Sequence, residues 1–126
     1  MYELKVVTRF AAAHQLKMVT EKCENLHGHN WKVELCVAGD KLLESGVLID
    51  FGIVKKYLAE IIDALDHKFL NELSPFSDGN PSSENIANYI AASFGRKIDE
   101  NGLAGIRVSR VIVWESDDAC ATYVPV

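Results

Sequence analysis

The chain has 126 residues, close to the usual size of one domain, and a chain of that length buries roughly two-thirds of its unfolded surface. Hydrophobic residues make up 48% and charged residues 25%, with only 8 Gly and 3 Pro, which excludes a disordered, collagen-like or low-complexity chain. A formal charge of -5 disfavours non-specific nucleic-acid binding, which needs phosphates neutralised over a wide surface.

From Tyr2 to Phe10 the pattern alternates, with Leu4, Val6 and Phe10 on one face, so a strand is expected that can continue to His14. A second alternation places Trp31, Val33, Leu35 and Val37 on one face and Lys32, Glu34 and Cys36 on the other, with Cys36 read as a half-buried strand residue. The period then changes. Phe51, Val54, Leu58, Ile61, Ile62 and Leu65 recur at helical spacing behind Asp50 as N-cap, predicting a helix over 51–65. Residues 66–80, with Asp-His, Pro and Asp-Gly-Asn, read as an ordered loop. A second helix follows Pro81, with Ser82 as N-cap, Ile86, Ile90 and Phe94 inward and Gly95 near its end. Two strands close the chain, at 105–115 and 119–125. The order ββααββ predicts one α+β domain over 1–126, an antiparallel four-stranded sheet with two helices on one face. Its open sheet edges make subunit pairing plausible.

No apolar run exceeds four residues, against about twenty for a bilayer-spanning helix, so no membrane association is expected. The N-terminus lacks a basic start, an apolar stretch and a small-residue cleavage site, and the chain reads as cytoplasmic. Cys23, Cys36 and Cys120 form no C-x-x-C pair, which suits a reducing compartment.

The densest chemistry lies in Cys23-Glu24-Asn25-Leu26-His27-Gly28-His29. In an extended segment residues i and i+2 project to one side about 7 Å apart, so His27 and His29 can converge on one ion. His14 ends the strand that should pair with the one carrying them. Three imidazoles with an open fourth position make a catalytic zinc pattern, although two half-exposed strand histidines would give the same H-x-H. Cys23 could close that site as a structural ligand, or stand beside it as a thiolate base. Asp66-His67 offers an acid/base pair, or merely a helix C-terminal His favoured by the dipole. Glu115 ends Val111-Ile-Val-Trp114, where a carboxylate could bind a guanidine-like ligand edge or simply be exposed. Lys17, Lys22 and Lys68 lie near the histidines and could meet an anionic ligand, or be solvated surface lysines.

Five segments occur in one order: Phe10-Ala-Ala-Ala-His14, C-x-x-x-H-G-H-N across 23–30, Leu65-Asp-His-Lys-Phe-Leu-Asn71, Pro81-Ser-Ser-Glu-Asn85 and Trp114-Glu-Ser116. Together they resemble the 6-pyruvoyl-tetrahydropterin synthase and 6-carboxytetrahydropterin synthase family over nearly the whole chain. The resemblance implies a tunnelling fold, a homohexamer built as a dimer of trimers, and active sites shared between subunits. It implies zinc held by His14, His27 and His29, a proton-transfer triad of Cys23, Asp66 and His67, and Glu115 as anchor of the pterin ring. Ser82 and Ser83 match the hydroxyls beside that ring, with Ser82 where the family commonly has Thr.

The chemistry implied is conversion of 7,8-dihydroneopterin triphosphate to 6-carboxy-5,6,7,8-tetrahydropterin, triphosphate and acetaldehyde, on the queuosine precursor route. The alternative product is 6-pyruvoyl-tetrahydropterin, by triphosphate elimination; the short chain with small hairpin loops favours the first. Glu24 stands at the spacing of a variant group with Glu and no Cys that cleaves the side chain towards 6-hydroxymethyl-dihydropterin for folate; this chain carries both residues, so Glu24 is either an accessory catalytic residue beside Cys23 as main base or a solvent-exposed loop glutamate. Non-enzymatic readings, a closed Cys-His₃ zinc module or a pterin binder without turnover, would leave part of this constellation idle.

Overall fold

A computed structural model describes residues 1–16 and 26–126. In chain order they form β1 (Tyr2–His14), β2 (His27–Gly39), α1 (Phe51–Asp63), β3 (Lys68–Phe69), α2 (Ser83–Glu100), β4 (Arg107–Ser116) and β5 (Ala119–Tyr123), with 3₁₀ turns at Leu70–Glu72 and Ser74–Phe76. The strands make one five-stranded sheet in the order β3-β1-β2-β4-β5.

Alternation in β1 and β2 sets which side of the sheet is buried. Val6, Phe10, Trp31, Val33, Leu35 and Val37 share the inner face, and the four β2 residues among them are 0% exposed. Val111 and Val113 of β4 extend it through pairing with Leu35 and Val33. Against this face pack Val54, Leu58, Ile61 and Ile62 of α1 and Ile86, Ile90 and Phe94 of α2, in one core cluster. Both helices therefore lie on the same side, as expected. Asp50 caps α1 by accepting from Gly52 N at 2.7 Å, and Ser82 caps α2 by accepting from Asn85 N at 3.1 Å.

Three expectations need correction. The sheet has five strands, because β3 adds to the outer edge of β1 and runs parallel to it, Ala12 opposite Lys68 and Ala13 opposite Phe69. A two-residue strand is too short to show a period, and its pairing is decided by the edge it meets. Gly95 does not end α2, which continues to Glu100. A Cβ at Gly95 would meet nothing within 4 Å, and the apolar stripe runs on to Ile98, 7% exposed. Cys36 is 0% exposed rather than half-buried, because Lys5 and Arg110 flank it in the register and cover it, and burial pushes its thiol pKa up.

Leu35 sits between Val6 and Val111 across the inner face. Leu35→Ala is expected to lower unfolding free energy by about 2 to 5 kcal/mol, the range for a buried leucine that leaves a cavity. Urea unfolding with an unchanged m-value checks it, and a loss under about 1 kcal/mol would mean that the site collapses around the deletion.

Candidate functional site

The cross-strand register builds the histidine cluster. His14 pairs with His27 and Ala12 with His29, so period 2 places all three imidazoles on the inner face, at the end of the sheet where α2 begins. Small Ala12 opposite His29 leaves the ring room. Trp31, the next inner residue on β2, forms the floor, its ring centroid 5.0 Å from that of His14 and 5.1 Å from that of His29. Its indole N–H donates to Ala12 O at 3.2 Å, tying the floor to the strand that carries His14.

His14 is 0% exposed. Its Nδ1 lies 2.9 Å from the carbonyl oxygen of Pro81, which can only accept, so Nδ1 carries the proton and Nε2 presents a lone pair. That Nε2 lies 3.0 Å from Nε2 of His27. His29 Nε2 lies 3.1 Å from Glu115 Oε1, and ligand atoms of all four residues fall within 4.8 Å of one another. A zinc ion bound at about 2.0 to 2.1 Å separates tetrahedral donors by about 3.3 Å, so nitrogens at this spacing suit a common ion better than a packed core. Three imidazoles are donors that zinc accepts with a further position left open, and the Pro81 carbonyl supplies the outer hydrogen bond that orients a ligating histidine.

Glu115 reaches this cluster because it shares the parity of Val111 and Val113 on β4 and therefore points inward. Ser83, at the first turn of α2 and buried, directs its hydroxyl to Glu115 Oε2 at 3.5 Å. The oxygen of Ser82 serves the helix cap, and a hydroxyl that accepts there can still donate elsewhere.

Asp66 and His67 stand apart from the cluster, on the outer edge of β1. Asp66 Oδ1 accepts from Ala11 N at 2.9 Å, and the His67 N–H donates to Ala11 O at 2.6 Å. Asp66 Oδ2 lies 2.9 Å from His67 Nδ1, so the carboxylate orients the ring, whose side chain is 81% exposed. The backbone N–H of Ala11, then His67, hold the Asp66 carboxyl below the usual carboxylate range. His67 has φ +58, a conformation sparsely used by residues other than Gly, and the two bonds to Ala11 impose it. Lys68 is exposed beside the pair in β3. Cys23, Glu24, Lys17 and Lys22 lie outside the described residues. Sequence reasoning missed the Pro81 carbonyl, a backbone group that no side-chain pattern reveals.

The sequence profile described as 6-pyruvoyl tetrahydropterin synthase matches residues 3–125. The chain belongs to that family. The family acts on pterin substrates and is metal-dependent, and the histidine and glutamate group could hold such an ion. The chain is 36% identical over 108 residues to the 6-carboxy-5,6,7,8-tetrahydropterin synthase of Synechocystis sp., covering 82% of this chain and 79% of that one. It is 33% identical over 109 residues to the dihydroneopterin monophosphate aldolase of Pyrococcus furiosus, with 86% and 85% covered. Among solved structures, a catalytic-glutamate variant of Plasmodium vivax 6-pyruvoyltetrahydropterin synthase superposes with TM-score 0.80 at 26% identity, over 97% of this chain and 96% of that one. The two helices on a mostly antiparallel sheet are thus the tunnelling fold of this family.

A carboxyl whose folded-state pKa is lowered stabilises the fold above its unfolded pKa, and that stability is lost as pH falls through the lower folded value. Asp66→Ala is therefore expected to lower Tm at neutral pH and to flatten the loss of Tm below about pH 4. A Tm-against-pH series with the same acid limb in both proteins would show that Asp66 does not anchor this edge.

Proposed function

We propose that the chain is a zinc-dependent 6-carboxy-5,6,7,8-tetrahydropterin synthase, converting 7,8-dihydroneopterin triphosphate to 6-carboxytetrahydropterin, triphosphate and acetaldehyde. The observation that carries this reading is the convergence of His14, His27, His29 and Glu115 within 4.8 Å at the start of α2, with His14 oriented through Nδ1. The name of the Synechocystis relative supports the choice of product.

In this reading His14, His27 and His29 hold zinc, which when bound acidifies C–H bonds next to the side-chain oxygens it polarises. Glu115 accepts two charge-assisted hydrogen bonds from the amino-pyrimidine edge of the pterin, and the Ser83 hydroxyl keeps the carboxylate turned towards the ring. Ser82 offers its hydroxyl beside Ser83. Asp66 holds His67 with Nε2 outward, and His67 passes protons to and from Cys23 of a neighbouring subunit. The 81% exposure of the His67 side chain supports a partner beyond its own protomer. Two trimers forming a homohexamer would use the sheet edges, since the Asp66–Asn71 segment occupies the outer edge of β1 only from Ala11 to its C-terminal end. The chain acts as one cytoplasmic domain, without nucleic-acid or membrane partners.

A second reading is side-chain cleavage towards 6-hydroxymethyl-dihydropterin with Glu24 as base. The Pyrococcus relative is named an aldolase, and the Plasmodium vivax structure is a variant of a glutamate called catalytic.

Mass spectrometry after incubation with dihydroneopterin triphosphate is expected to show 6-carboxytetrahydropterin. 6-Pyruvoyl-tetrahydropterin would move the chain to the elimination branch, and absence of turnover with retained pterin binding would make it a binding module. Cys23→Ala should abolish the carboxy product; if Glu24→Ala does so instead, the base is misassigned. His14→Ala, His27→Ala and His29→Ala should each sharply reduce metal content measured by elemental analysis, and stoichiometric metal in all three would remove the trio as ligands. Glu115→Gln should weaken pterin binding by about 1.5 to 3 kcal/mol without metal loss, since an amide cannot accept both bonds. Mixed hexamers of Cys23→Ala and His67→Ala protomers should regain partial activity if the triad spans subunits.

A further inference from the structure

The segment from Asp66 to Asn71 is zipped along one edge of β1, and both ends of the zipper are side chains. At one end the Asp66 carboxylate takes the Ala11 N–H while the His67 N–H donates to Ala11 O. The middle is the two-residue strand β3. At the other end, Asn71 Oδ1 accepts from Gln15 N at 2.9 Å and Asn71 Nδ2 donates to Gln15 O at 2.7 Å. A primary amide carries a donor and an acceptor side by side as a peptide group does, so Asn71 supplies the rung that a further β3 residue would have supplied. Alternate residues of a strand offer both backbone groups to the same edge, which is why Ala11 and Gln15 are the two residues clamped.

Gln15 directly follows His14, and the segment carrying Cys23 continues from Leu16. We infer that Asn71 is a positioning residue, whose amide locks Gln15 to the Asp66–His67 edge and so fixes His14 and His67 in one register. This rests on the roles proposed above for those two residues. Leu70, 0% exposed, and Asn71 are adjacent, so the core holds the base of the clamp while the amide reaches the strand. Both of these amide hydrogen bonds of Asn71 go to Gln15, at the strand end that leads out of the site.

The test compares zinc-loaded full-length Asn71→Ala with Asn101→Ala, which removes a side-chain bond to Lys97 O at the far end of α2. Asn71→Ala is expected to lower kcat by about tenfold or more, since misplacement of a catalytic group by about 1 Å can cost that much, with KM and metal stoichiometry little changed. Asn101→Ala should leave kcat unchanged at a comparable fall in Tm. Independently of turnover, amide hydrogen exchange at His67, four positions away from the substituted residue, should accelerate in Asn71→Ala and not in Asn101→Ala. If Asn71→Ala does not fold, Asn71→Asp, of the same shape but without the donor to Gln15 O, is judged by the same readouts. Unchanged kcat and unchanged His67 exchange, or equal loss of kcat in the Asn101→Ala control, would overturn the inference. An unaltered chain that fails to turn over dihydroneopterin triphosphate would count against the proposed function instead, and the exchange comparison would still decide the role of Asn71.

Discussion

The pairing of β1 with β2 in a single register, His14 opposite His27, is the constraint on which the core and the site both depend. Side chains alternate with period 2, so the register that puts Val6 and Phe10 against Leu35 and Trp31 must also put the three histidines on the inner face. A slip of one residue would expose that apolar face and turn the imidazoles away from Glu115. Burying Trp31, Val33, Leu35 and Val37 completely makes such a slip costly, at about 1.5 to 3 kcal/mol for each large apolar side chain exposed. The hydrophobic core thereby specifies the geometry of a polar site built from the same strands.

A buried histidine ordinarily carries a desolvation cost, and here it is offset by specific partners. His14 satisfies Nδ1 at Pro81 O, in the turn leading into α2, and turns Nε2 to its neighbours. The same turn supplies Ser82 as cap and Ser83 as partner of Glu115. The start of one helix thus orients a histidine from β1 and a carboxylate from β4, which are far apart in sequence. The outer edge of β1 holds the Asp66–His67 pair by a different device, hydrogen bonds from side chain to backbone that extend the sheet where no strand continues.

On the opposite face of the sheet, ion pairs stand among partly or fully buried apolar residues, Cys36, Ile112 and Trp114 among them. Glu3 accepts from Arg110 and Ser109, which hold its carboxyl below the usual range, the Arg110 bond first. Glu34 accepts from the Trp114 indole at 2.7 Å and meets Lys5 at 3.3 Å, and the indole bond is the main reason that its carboxyl is also lowered. Exposed pairs of this kind contribute little to stability. Their effect is to keep charge on that side of a sheet with open edges, while the large core cluster collects on the inner face.

Much of this was legible in the sequence, because period and capping are local. The alternations of Val6 to Phe10 and of Trp31 to Val37, the helical stripe from Val54 to Ile62, and the caps at Asp50 and Ser82 each depend on neighbours within a few residues. The H-x-H pair and His14 could be named as convergent for the same reason, since i, i+2 spacing and a hairpin are enough to predict a shared side. What the sequence could not carry was decided by contacts between distant segments. β3 exists because the edge of β1 was available to Lys68 and Phe69; Cys36 is buried because Lys5 and Arg110 cross above it; α2 passes Gly95 because Ile98 still finds the core. The orientation of His14 by a proline carbonyl and the clamp of Asn71 on Gln15 belong to the same category. Both join side chain to backbone across more than fifty residues, and a backbone group has no identity in the sequence until the fold brings it to its partner.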